Sequence, residues 1–278
     1  MNQGDGQQGQ SGQCPVGSKK ESNGDGQQGQ SGQCPVGSKK ESHGHGHGQG
    51  HGQGGQCATP PQTDVENDPA AKALLRGAFE KTSRWGESFR GFSADFICND
   101  NGTEYKGAVR VKSPKEAEVS LSGAPEALQQ WAQNQVSMMA VHRASRAFEE
   151  ADGKYPITFA AEVGSHPLGR QIIINGDGMG SRYRIKDERI QQISRSMGRM
   201  KFTINVQEAM KTADDRFLTT QYVVYYFSPD GAITQVESFT DHPVVIDGVY
   251  LPCHRRIILT DAGEVTARLL QFKNHVWL

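Results

Sequence analysis

From about residue 145 onward the sequence breaks into short apolar–polar alternations separated by turn residues, and this pattern constrains the fold more than any other. Apolar side chains at every second position put one face of an extended segment on a core. Candidate strands span 155–163, 170–175, 181–186, 189–194, 200–206, 217–227, 232–240, 244–247, 249–259 and 264–274. Between them stand Asp152-Gly153, Asn175-Gly176, Pro229-Asp230-Gly231, Asp247-Gly248 and Ala262-Gly263, residue types that accept the backbone angles of tight turns. Strands joined by tight turns make a meander of antiparallel neighbours. Segment 218–226 is apolar on both faces near its centre and is expected to be covered on both sides.

Upstream the period changes. Asp68-Pro69 offers an N-cap followed by proline at the first helical position, and Ala71, Leu74, Leu75, Ala78 and Phe79 recur at helical spacing before Trp85 and Gly86. Phe92, Ala94, Phe96 and Cys98 then share one strand face. Asp100-Asn101-Gly102 signals a hairpin into Tyr105, Gly107, Val109 and Val111. Ser113-Pro114 turns again into Ala117, Val119 and Leu121. A second helix follows Pro125, with Leu128, Trp131, Ala132, Val136 and Met139 on its stripe. Helices grouped early and strands grouped late predict an α+β domain over residues 63–278, a long curved antiparallel β-meander packed on one or two helices.

Residues 1–62 have a different character. They hold 17 of the 33 glycines, 13 glutamines and four of the nine histidines, but none of the 21 aromatics. Such a segment has too little apolar surface to offset the entropy of ordering and is expected to be a disordered tail. Residues 4–22 and 24–42 are identical, a 20-residue repeat containing Cys14-Pro15-Val16 and Cys34-Pro35-Val36. Each unit lacks the apolar face that stacked repeats need, so the array reads as a flexible linker.

The tail nevertheless gathers ligating side chains. His43, His45, His47 and His51 lie within nine residues, separated mainly by glycine, and Cys57 follows. Imidazole and thiolate are the usual ligands of nickel, zinc and copper, and glycine lets successive rings turn to a common centre. Cys14 and Cys34, each followed by proline, are similar to the Cys-Pro haem-regulatory motif and would supply axial thiolates. Three readings of the tail stand side by side: inert spacer, transition-metal capture, and haem or partner docking.

The remaining chemistry is sparse. Gly176, Gly178 and Gly180 lie between two strand-like runs, which makes a hairpin turn rather than a phosphate loop opening a helix. Cys253 and His254 are adjacent on a strand and point to opposite faces. His142, His166, His242 and His275 are scattered singly. No nucleophile–base or acid–base set assembles from spacing, so a non-catalytic protein is expected. Between residues 168 and 201, Arg170, Arg182, Arg184, Lys186, Arg189, Arg195, Arg199 and Lys201 stand against three acids. Arg182, Arg184 and Lys186 share a strand face, either a solvated outer surface or a seat for an anion.

The net charge of −1 argues against a generally basic nucleic-acid binder, and no apolar run approaches the ~20 residues of a membrane span. Three of the five cysteines lie in the tail, and the first residues lack a basic start and apolar stretch, so the expectation is a cytoplasmic protein.

The order helix, Gly91-Phe92-Ser93-Ala94-Asp95-Phe96, Lys106-Gly-Ala-Val-Arg110-Val-Lys-Ser-Pro114, then a meander carrying Ile246-Asp-Gly-Val-Tyr-Leu-Pro252, resembles an uncharacterised bacterial domain-of-unknown-function family over residues ~68–278. More distantly it resembles the lipoprotein-carrier fold, which implies a curved sheet around helices and an apolar cavity. Near Leu128, Trp131 and Met139 that cavity is expected to hold few charged groups. Three functions follow: metal or haem capture by the tail, binding of a lipid or other apolar ligand in the cavity, and multivalent docking of the Cys-Pro-Val repeats to a partner protein or shell.

Overall fold

Among the described residues two α-helices, one short 3-10 turn and twelve strands form. The computed structural model describes residues 65–86, 89–162 and 164–278. In chain order it contains α1 (Pro69–Glu80), β1 (Phe92–Asp100), β2 (Thr103–Ser113), β3 (Glu116–Leu121), α2 (Glu126–His142), β4 (Ile157–Phe159), β5 (Arg170–Ile174) and β6 (Arg182–Lys186). There follow β7 (Arg189–Met197), β8 (Met200–Lys211), β9 (Phe217–Phe227), β10 (Ile233–Ile246), β11 (Val249–Asp261) and β12 (Glu264–Trp277). Asp68 caps α1, its carboxylate accepting the N–H groups of Ala70 at 2.9 Å and Ala71 at 3.1 Å. Asn101-Gly102 and Asp247-Gly248 turn with both residues at positive φ, which is what a two-residue hairpin of the right twist requires.

All twelve strands join one antiparallel sheet in the order β3-β2-β1-β12-β11-β10-β9-β8-β7-β6-β5-β4. Two consequences follow. The first hairpin docks on the final strand, with Phe96 opposite Phe272 and Cys98 opposite Leu270. And β3 and β4, consecutive in sequence, occupy opposite edges, so residues 122–156 must cross the whole face of the sheet.

Both helices lie on that face. Cross-strand register runs Tyr183, Ile193, Ile204 and Val224 in one row, with Tyr222, Phe239 and Ile257 in the next. α1 sets Leu75, Ala78 and Phe79 on Ile157, Ile172, Ile174, Tyr183 and Ile185. At the far end α2 sets Leu128, Ala132 and Val136 on Phe96, Val109, Leu270 and Phe272. Between these two cores β7 and β8 contain no fully buried residue, although they sit well inside the sheet.

The exposed edge of β3 is closed by side chains. Gln133 accepts the Val119 N–H at 2.8 Å and donates to the Ala117 carbonyl at 2.6 Å, while Gln129 accepts the Leu121 N–H at 2.8 Å and donates to the Val119 carbonyl at 2.6 Å. Four helical residues rise ~6 Å and two strand residues ~6.6 Å, so the spacing of the glutamines matches that of the backbone groups. An edge sealed in this way cannot recruit another strand.

Several boundaries differ from the sequence expectation, three of them for a visible reason or by more than three residues. Segments 232–240 and 244–247 form a single strand, β10, because Pro243 sits at a bulge next to His242, where the missing N–H costs no ladder bond. Candidate strand 155–163 shrinks to the three residues of β4. β8 runs on to Lys211 through two register shifts that alternation alone does not reveal. Val223 and Val224, neighbours on opposite faces of β9, are both buried, as the apolar run there implied.

Candidate functional site

Where the sheet lacks a helical cover, a cavity of about 300 Å³ opens. Its floor is apolar: Ile193 from β7, Ile204 and Val206 from β8, and Leu218 and Tyr222 from β9. Its walls are basic. The segment leaving α2 delivers His142, Arg143 and Arg146, the segment leaving α1 delivers Arg84, and β7 delivers Arg189 and Arg195. The crossing path of residues 122–156 places the first three, since a chain running from one sheet edge to the other has to pass over β7–β11.

The wall carries seven Lys or Arg side chains against three carboxylates, Asp152, Glu188 and Asp241. Asp241 is already committed. It takes Arg255 in a bidentate pair, both N–O distances 2.7 Å, and Arg255 is buried. Burial alone would lower the Arg255 pKa, but Tyr222 and Asp241 more than offset it and the pKa is raised. Burial pushes the Tyr222 hydroxyl up to about 12. Arg84 stacks 3.9 Å above the Phe79 ring and donates to the Phe79 carbonyl at 2.7 Å. Its pKa falls to about 10, first through burial and then through Arg146 and Arg216. Arg143 falls to about 10, again chiefly through burial. Arg195 donates to the Ser181 hydroxyl at 3.2 Å and the Tyr183 hydroxyl at 2.9 Å.

His142 reports the resulting field. Its pKa falls to about 4 through burial first, then through Arg255, Arg146, Arg195 and Arg143. The residue keeps accessible surface because the cavity admits water, yet protein surrounds it. Asp152 is the carboxylate among these cations. Burial raises its pKa, while Arg146, Arg195 and Arg84 pull it down.

The sequence-derived site residues fare differently. Cys14, Cys34, His43, His45, His47, His51 and Cys57 lie outside the described residues, as does the segment 1–62 expected to be a disordered tail. Among the described residues no group of three or more His, Cys, Asp or Glu is placed to hold a metal. His242, expected to stand singly, and His254, expected only beside Cys253, are brought opposite each other across β10 and β11, with ring centroids 5.5 Å apart and the rings tilted by 47°. The depression beside them holds only about 10 Å³. Cys98 is buried and its thiol is raised to about 11 by burial, which keeps it protonated and unreactive.

The basic run of residues 168–201 faces two ways. Arg182 and Lys186 are exposed, and Arg184 pairs with Glu162 at 2.7 Å. That exposure agrees with the solvated outer surface. Arg189 and Arg195, on the other side of the hairpin, point into the cavity instead. Near Leu128 the interior is solid core; the cavity lies at the C-terminal end of α2, where Met139 lines it as expected, but it carries many charged groups, contrary to expectation. Arg84, His142, Arg143 and Arg146 were missed. The available signal was a basic cluster just past a helix end.

The model of a protein family described as "Protein of unknown function (DUF3386)" matches residues 66–278. The chain belongs to the DUF3386 family. No curated protein matches the sequence significantly. Among solved structures, the DUF3386 domain is similar to a Vibrio parahaemolyticus domain described as an outer membrane lipoprotein-sorting protein, at 10% identity and a TM-score of 0.33, covering 75% of this chain and 92% of that one. It is also similar to a DUF1329 family protein from Desulfovibrio piger, at 8% identity and a TM-score of 0.25, covering 76% of this chain and 93% of that one.

Proposed function

We propose that this DUF3386 domain is a non-catalytic binding protein that holds an apolar small molecule in the cavity between the two helix ends. The observation that carries the reading is the floor: Ile193, Ile204 and Val206 form a half-buried apolar patch in mid-sheet, with the buried Leu218 beside them. Exposing such surface costs roughly 25 cal/mol per Å² relative to covering it. A ligand laid along the floor recovers that free energy, and the volume falls at the small end of the ~300–1,000 Å³ typical of ligand pockets.

The test is binding of N-phenyl-1-naphthylamine, a neutral apolar dye, to the full chain. Its fluorescence should rise on binding, and Ile204→Trp, which fills the floor, should abolish the rise while the thermal midpoint stays within a few degrees. Absence of any signal with the unaltered protein would remove the reading.

A second reading concerns the tail, where His43, His45, His47, His51 and Cys57 concentrate ligands. We propose that they capture nickel, zinc or copper. Binding needs neutral imidazole, so affinity should fall as pH drops through ~6.5. Equal nickel uptake by the full chain and by a variant with the four histidines changed to alanine would leave the segment a spacer, or a docking array whose Cys-Pro-Val repeats await a partner.

A further inference from the structure

Half-buried arginines away from the cavity have carboxylate partners, and so does the buried Arg255 in its wall. Arg184 has Glu162 at 2.7 Å, Arg268 has Asp100 at 2.8 Å and Arg255 has Asp241 at 2.7 Å. Among the described residues, Arg84, Arg143, Arg146, Arg189 and Arg195 make no ion pair within 4.0 Å of a carboxylate. Arg189 Nε is buried without any hydrogen-bond partner, its guanidinium 5.1 Å from the Phe217 ring. Unpaired charge beside a low-dielectric space is costly, and several like charges around one space are costlier.

Resting on the apolar-ligand reading, we propose that the occupant is an anionic amphiphile, an acid group on an apolar chain. The acid group would be received by Arg143, Arg146 and Arg195, and the chain would lie on Ile193, Ile204 and Val206. The two halves of the cavity match the two halves of such a molecule. Guanidinium forks pair with carboxylate or phosphate oxygens through two parallel bonds, and those bonds strengthen away from water. The basicity of His142, Arg84 and Arg143 is lowered first by burial, and neighbouring arginines lower that of His142 and Arg84 further. Arg255 stays with Asp241 and serves as a fixed wall.

Dye displacement from the full chain separates the possibilities, using dodecanoate, dodecyl phosphate and dodecanol, all at submicellar concentration, with acetate and inorganic phosphate as chainless acids. A hydrogen bond to a charged group is worth ~1.5–3 kcal/mol, so at least one acid amphiphile should displace the dye at a concentration about tenfold or more below that of dodecanol. The advantage should shrink in 0.5 M salt and disappear in the Arg143→Gln/Arg146→Gln variant, which should still bind the dye. The tighter of dodecanoate and dodecyl phosphate identifies the acid. Equal displacement by dodecanol and both acids overturns the inference while leaving an apolar-ligand protein. Failure of the dye and of every amphiphile overturns the underlying reading instead. Binding of acetate or phosphate as tight as that of the amphiphiles overturns both, since the apolar floor would then contribute nothing.

Discussion

The two ends of the sheet and its middle are built from the same kind of strand, yet they are finished differently. At the ends, α1 and α2 cover the sheet and seal side chains beneath them, as with Ile172 under α1 and Phe272 under α2. In the middle, β7 and β8 have no fully buried residue and are half-buried or exposed along their length. The difference lies in the cover and not in the strands. A sheet of twelve strands is broader than two helices can roof, and the uncovered span is where basic side chains from the helix ends arrive.

The comparison breaks first at the ends. Phe272→Ala removes a fully buried ring that meets Phe96 edge-on at 5.0 Å, and should cost about 3–5 kcal/mol by denaturant unfolding. Ile204→Ala in the middle should cost only about 1 kcal/mol, since that side chain is already half exposed. Equal losses would show that the middle is as tightly packed as the ends. Next in size, Gln129→Leu/Gln133→Leu strips partners from four backbone groups of β3 and should cost about 1–3 kcal/mol, with increased self-association visible in light scattering.

A smaller effect is read in pH. In the folded protein His142 has a lowered pKa of about 4, so between ~6.5 and about 4 the unfolded chain binds more protons than the folded one. Stability should therefore be highest above pH ~6.5 and decline as pH falls through that window. His254 and His275, both lowered first by burial, contribute with the same sign. Thermal midpoints of the protein and of His142→Gln, taken from pH 7 to pH 4, should converge toward the acid end, and parallel curves would show that the field around His142 is weak. Smallest of all, Arg182→Gln on the exposed face of β6 should shift stability by less than ~0.5 kcal/mol and leave dye displacement by acids untouched. A change in displacement would mean that the outer face takes part in binding after all.

The strands and both helices were legible because each depends on neighbours in the chain. Asp68-Pro69 caps what it was expected to cap, and Asn101-Gly102 turns the hairpin where the alternation reverses. Pro243 misled because a proline ends a strand in isolation but sits comfortably at a bulge. The cavity was not legible, for a related reason. Arg195 and Arg182 look equivalent in a basic run, and only the register of β6 on β7, with Ile193 opposite Tyr183 and Ser194 opposite Arg182, puts one inside and the other out. Arg143 and Arg146 needed the path of residues 122–156 across the face, which follows from strand order and from no local pattern.

That strand order also sets a timetable. The α2 core is assembled from β1, β2 and β12, so its first hairpin leaves the ribosome some 150 residues before the strand it must pair with. At ~5–20 residues per second that wait lasts roughly ten to thirty seconds. Through it Phe92 and Phe96, on β1, have no partner strand on one side. The hairpin is a half-built template for much of synthesis, and folding closes from both ends of the chain at once only when β12 arrives. Long-range pairing of this kind slows folding. It also makes the nascent chain most vulnerable to wrong strand partners before its last strand is complete.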